Sequence, residues 1–114
     1  MASSFCFSLM KIERNRAPRY RFFAPVEAAD IDLNKQLMVR TTNLNAFGCF
    51  IATDAPFPCG TKIRLKVNHR GATFIALGQV AYCRSNGMGV RFIKMESAHQ
   101  EILESWLAEL RTRE

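Results

Sequence analysis

The chain is 114 residues long, with 48% hydrophobic and 23% charged residues, a length that suits one domain and a balance that excludes a disordered or low-complexity protein. Lys and Arg number 16 against 10 Asp and Glu, a formal charge of +6, which favours anionic partners and is silent about fold. No apolar run approaches the roughly 18 residues that a membrane-spanning helix needs.

Residues 1–12 open as MASSFCFSLMKI, without the basic start and long apolar stretch of a signal peptide, and read as an N-terminal arm ahead of a domain over 13–114. A basic connector, RNRAPRYRF, follows. Lys11, Arg14, Arg16, Arg19 and Arg21 face only Glu13 between residues 11 and 21, so most of the excess charge is concentrated there. FFAPVEA (22–28) predicts a strand, with Pro25 marking an edge or a bulge because proline cannot donate to a ladder. IDLNK (31–35) reads as a turn. QLMVRTTNL (36–44) alternates with period two, Leu37, Val39 and Thr41 on one face and Met38, Arg40 and Thr42 on the other.

NLNAFG (43–48) interrupts the pattern with turn-forming residues, and GCFIAT (48–53) resumes it. APFPCGT (55–61) is a loop by its prolines and glycine. KIRLKV (62–67) places Ile63, Leu65 and Val67 inward, NHRG (68–71) signals a hairpin, and TFIALGQVAYC (73–83) is a long strand that Gly78 is expected to bend. RSNGMG (84–89) reads as a turn and VRFIKM (90–95) as the last strand. The period then changes: Ile102, Leu103, Trp106, Leu107 and Leu110 form one helical stripe, with Ser97 and Gln100 as a capping box and Arg111 and Arg113 at the end that favours cations. About six short strands and one helix predict a mostly β fold, a small six-stranded antiparallel barrel with the C-terminal helix laid over one mouth. Phe22, Phe23, Phe50, Phe74 and Phe92 are expected in its core.

No GxSxG, HExxH, P-loop or paired-carboxylate motif is present, so the chain is not expected to be an enzyme or to carry a cofactor. Cys6, Cys49, Cys59 and Cys83 form no CxxC pair, and with His69 and His99 far apart they give no metal-ligand spacing. The cysteines read as reduced residues of a cytoplasmic protein, and both histidines as solvated. Two stretches remain that can carry recognition. The arginines can grip an anion, and Asn43 and Asn45, with Gly48, offer a simple sheet turn or the polar floor of a pocket.

Three motifs taken together, ERNRAPRYRF, NLNAFGCFIAT and MGVRFIKM before a Trp-bearing helix, resemble the PilZ domain, a small bacterial barrel that binds the second messenger cyclic di-GMP. The resemblance covers residues 13 to about 110. In that family an RxxxR motif precedes the first strand and a D/N-x-S-x-x-G motif lies between two early strands. Arg19 matches the second motif arginine. The position four residues earlier is Asn15, flanked by Arg14 and Arg16. Asn43 and Gly48 match the second motif, Asn45 stands at its serine, and Phe47 stands where glycine is frequent.

The resemblance implies a cyclic di-GMP effector that binds through Arg14, Arg16, Arg19, Asn43, Asn45 and Gly48 and signals to a protein partner. The alternative is a degenerate PilZ-like adaptor that binds protein and no nucleotide, a reading to which an exposed Phe47 would lend weight. A barrel that binds RNA or DNA non-specifically ranks third, because the aromatic residues do not interleave with the basic ones along a strand.

Overall fold

The computed structural model describes residues 18–113 of the chain. Its elements are β1 (Tyr20–Asp30), β2 (Gln36–Asn45), β3 (Gly48–Ala52), β4 (Lys62–His69), β5 (Ala72–Arg84), β6 (Gly87–Lys94) and α1 (Ser97–Thr112). The strands close into an antiparallel barrel in the order β1-β2-β3-β6-β5-β4, with β4 returning to β1. This is the expected six-stranded barrel with a C-terminal helix.

The clean alternation of KIRLKV becomes β4, whose Ile63, Leu65 and Val67 are wholly buried. They meet Val26 and Ala28 of β1, Ile51 of β3, Phe74, Ala76 and Val80 of β5 and Met88 and Val90 of β6 in one core. The β4–β5 hairpin has a two-residue loop, Arg70 (φ 51°) and Gly71 (φ 79°). Positive φ at both central residues matches the twist of the flanking strands. Pro25 sits where β1 is paired with β2 alone, since pairing with β4 begins at Val26, the partly unpaired setting in which a strand tolerates proline. Gly78 coincides with a register shift between β5 and β6, as expected. Asp30, buried at the end of β1, accepts the backbone N–H groups of Asp32 (2.9 Å) and Leu33 (3.1 Å) and closes the turn into β2.

Helix α1 covers one barrel mouth. Trp106 stacks on Phe22 at the start of β1 (5.4 Å between ring centroids), meets His69 at the end of β4 edge-on (5.1 Å) and packs on Phe74 near the start of β5 (5.3 Å). Leu103, Leu107 and Leu110 are buried beside it, and Ile102 is half-buried. Pairing of β5 with β6 begins only at Leu77. Beyond that point Ile75 donates its N–H to Nδ1 of His99 on α1 (3.2 Å), so the helix supplies the acceptor that a strand would otherwise provide.

Several expectations are corrected. Gly87, Met88 and Gly89 belong to β6, and the turn before it is only Ser85 and Asn86. No capping box forms: Glu96 is the N-cap, without a side-chain cap bond, and Gln100 turns its amide to Glu104 (3.4 Å). His69 and His99 are half-buried and engaged rather than solvated. Phe23 points outward and is 61% exposed, and Phe50 is half-buried on the outer wall. Cys49, Cys59 and Cys83 carry free thiols, and burial pushes that of Cys49 up to about 12.

Candidate functional site

A cleft of about 300 Å³ opens on the outside of the barrel, across the end of β2, the start of β3, the middle of β6 and the late part of β5. Arg19, Asn43, Asn45 and Gly48, all singled out from the sequence, line it together, with Phe47, Phe50, Tyr82, Gly89 and Arg91 around them. Arg14 and Arg16, like the arm over residues 1–12, lie outside the described residues.

The floor exists because outward strand positions lack side chains. A β-carbon at Gly48 would run into the carbonyl oxygen of Val90, and one at Gly89 into the ring of Tyr82. β3 and β6 therefore approach closely, and the two aromatic rings lie down over the glycine backbone. Phe50 and Tyr82 are stacked, 6.3 Å between centroids and 30° between planes, and the Arg84 guanidinium stands 5.1 Å from the Tyr82 ring centre. The result is an aromatic shelf with cationic groups at its margins, a surface suited to a planar ring attached to an anionic group.

Two β-irregularities aim side chains into this cleft. Thr41 faces the core, and strict alternation would turn Asn43 inward as well. A register shift between them in the β2–β3 pairing places Leu44 in the core and leaves Asn43 on the cleft. The Thr41 hydroxyl meanwhile donates to the Phe22 carbonyl oxygen (2.9 Å), beside a further shift in the β1–β2 register. A third shift, between Val80 and Tyr82 in the β5–β6 pairing, turns Tyr82 out while Val80 stays buried. Bulges commonly re-aim side chains in this way next to binding sites.

The turn between β2 and β3 is held by Asn45. Its Oδ1 accepts the N–H groups of Phe47 (2.8 Å) and Gly48 (2.9 Å), and the Phe47 carbonyl accepts the Phe92 N–H (2.8 Å). The oxygen of Asn45 therefore closes a sheet turn, as the simpler reading of NLNAFG has it, and the residue also lines the cleft. Phe47 is half-buried against the cleft rather than exposed.

A second cleft of about 320 Å³ lies where β5 passes α1, lined by Ile31, Arg64, Ile75, Leu77, Lys94 and His99 among others. It shares no residue with the first. Among the described residues no group of three or more His, Cys, Asp or Glu side chains is placed to hold a metal ion, and no helix is long and apolar enough to cross a membrane.

The sequence model of the PilZ domain matches residues 13–109. The chain belongs to the PilZ family. No curated protein matches it in sequence. Among solved structures, the PilZ domain of CeSA from a cellulose-synthesizing bacterium superposes with a TM-score of 0.67 at 14% identity, over 82% of this chain and 98% of that one. The PilZ domain of YcgR from Escherichia coli with c-di-GMP gives 0.69 at 15%, over 88% and 93%. The inhibitor of motility MotI from Bacillus subtilis gives 0.72 at 13%, over 87% of this chain and 52% of that one. At such identities the likeness is one of fold.

In this PilZ domain the sequence exposed Arg19, Asn43, Asn45 and Gly48 but not Phe50, Tyr82 or Gly89. A signal for the missed residues was available. Gly48, Gly87 and Gly89 fall on the outward phase of two strands that β3–β6 pairing brings together, and glycines on one face of adjacent strands leave a trough for large neighbours to border.

Proposed function

We propose that this PilZ domain is a cytoplasmic bacterial effector that binds cyclic di-GMP in the outer cleft and passes the signal to a protein partner. The observation that carries the reading is the convergence of Arg19, Asn43 and Asn45 on one cleft floored by Gly48 and backed by the Phe50–Tyr82 shelf. Cyclic di-GMP presents two phosphates and two guanines. A guanidinium holds a phosphate in a fork, pairs with guanine O6 and N7, or stacks on the base. The Asn43 carbonyl accepts from a guanine N–H, and the Asn45 amide, its oxygen committed to the turn, has donors to offer a phosphate or a guanine carbonyl. Arg14 and Arg16, which adjoin the position of the motif's first arginine in sequence, complete the proposed ligand set.

Signalling follows from ordering: ligand that draws the basic segment onto the cleft shifts the population of surfaces offered to a partner. Phe23 (61% exposed) and Met38 (73% exposed) point outward from β1 and β2 and supply apolar contact area for that partner. Of the three features behind the adaptor reading, Asn15, Asn45 and Phe47, the last is half-buried rather than exposed, and the other two stand, so titration decides between the readings.

Isothermal titration with cyclic di-GMP tests the reading. Saturable binding is expected. Arg19→Ala, which removes a charge-assisted contact worth about 1.5–3 kcal/mol, should weaken it about ten- to a hundredfold with little change in melting temperature, since Arg19 is exposed. Absence of saturable heat at high micromolar ligand would sink the reading.

A further inference from the structure

The cleft has a second guanidinium, that of Arg91 in the MGVRFIKM stretch, which belongs to neither the RxxxR nor the D/N-x-S-x-x-G motif. Arg91 projects outward from β6, paired in register with Gly48 on one side and Gln79 on the other. It is exposed, and its Nη2 donates to Gln79 Oε1 at 2.9 Å. Gln79 is neutral, and among the described residues no carboxylate lies within salt-bridge distance of Arg91. Its charge is therefore uncompensated, and one hydrogen bond to a fixed partner steers the fork while most of its five donors stay unused.

Arg19 and Arg91 are the two cationic side chains lining the cleft among the described residues. They stand on opposite rims. Arg19 precedes β1 and Arg91 is on β6, with β2 and β3 between them. Three inter-strand spacings amount to roughly 14 Å of wall, which two arginine side chains reaching inward can bracket around a dianionic dinucleotide.

Resting on the cyclic di-GMP reading, we propose that Arg91 supplies the second cationic contact of the site. The nucleotide lies between Arg19 on one rim and Arg91 on the other, with a base against the Phe50–Tyr82 shelf. Arg91 takes the place in charge, though not in sequence, that Asn15 leaves vacant. The Gln79 tether lowers the cost of ordering the side chain, because its fork is already oriented before ligand arrives.

The test is calorimetric titration of cyclic di-GMP into the full chain and into three variants, Arg91→Gln, Arg91→Lys and Arg64→Gln, with melting curves of each. Arg91→Gln should bind ten- to a hundredfold more weakly. Arg91→Lys should fall between it and the wild type, because a lysine keeps the charge and loses the fork. Arg64→Gln, on the second cleft, should bind as the wild type does. Wild-type binding with Arg91→Gln unaffected would overturn this inference and leave the functional reading standing. Failure of the wild type itself to bind would overturn both. A loss in Arg91→Gln matched by a large fall in melting temperature, with Arg91→Lys fully restored in both, would assign Arg91 to barrel stability and also overturn the inference.

Discussion

Asn45 stands at the serine position of the family's second motif, and its carbonyl oxygen is fully occupied by the Phe47 and Gly48 N–H groups. A turn that leaves Gly48 where a β-carbon would strike the Val90 carbonyl needs that oxygen to fix its path. Asn45→Ala should lower stability by about 1 kcal/mol, seen as a shift of the urea midpoint without a change in slope. Asn45→Asp and Asn45→Ser should keep most of it, because each retains an acceptor at short reach. An unchanged midpoint in Asn45→Ala would show that water replaces the cap at no cost. At this scale the sequence was informative about which residues are unusual. It was less informative about their orientation: Asn43 and Tyr82 face the cleft only because bulges reverse their alternation, and a bulge is set by long-range pairing that no local window contains.

Among the elements, those with strong periodicity were legible. KIRLKV and the stripe ending in Leu110 become β4 and α1 as read. The misreadings share one cause. Gly87 and Gly89 look like turn residues, yet they are strand residues whose side-chain space is taken by Phe50 and Tyr82 from neighbouring strands. The Phe22–Phe23 pair gives no phase on its own, and tertiary packing sends one ring inward and the other to solvent. The histidines were misplaced because their partners, Trp106 and the Ile75 N–H, are remote in sequence.

His69 gives the contact between helix and barrel a pH dependence. Burial lowers its pKa from the ordinary value, Arg70 lowers it further, Glu109 opposes and Arg113 adds to the lowering. A folded-state pKa below the unfolded one means that the unfolded chain binds more protons in between. The stabilisation is whole above about pH 6.5 and is lost as pH falls from there through the folded pKa. Thermal melts between pH 7.5 and 5 should therefore show a falling midpoint whose slope flattens in His69→Phe. Equal slopes in the two proteins would remove His69 from the account. Tryptophan fluorescence should follow the same titration, since Trp106 touches the imidazole.

Among the described residues the six strands close into a barrel, and α1 covers one mouth. Both clefts open on the outer wall. There the two clefts differ in kind: one has polar groups converging on a glycine floor beside stacked aromatics, the other an apolar trough with Arg64 and Lys94 at its sides. The central claim is that cyclic di-GMP occupies the first. Amide chemical-shift mapping of the full chain during titration with cyclic di-GMP tests this most directly. The account predicts saturable shifts clustered at residues 43–50, 81–82 and 89–91 with the second cleft silent. No shifts at millimolar ligand, or shifts centred on Ile75, Leu77 and Lys94, would contradict it.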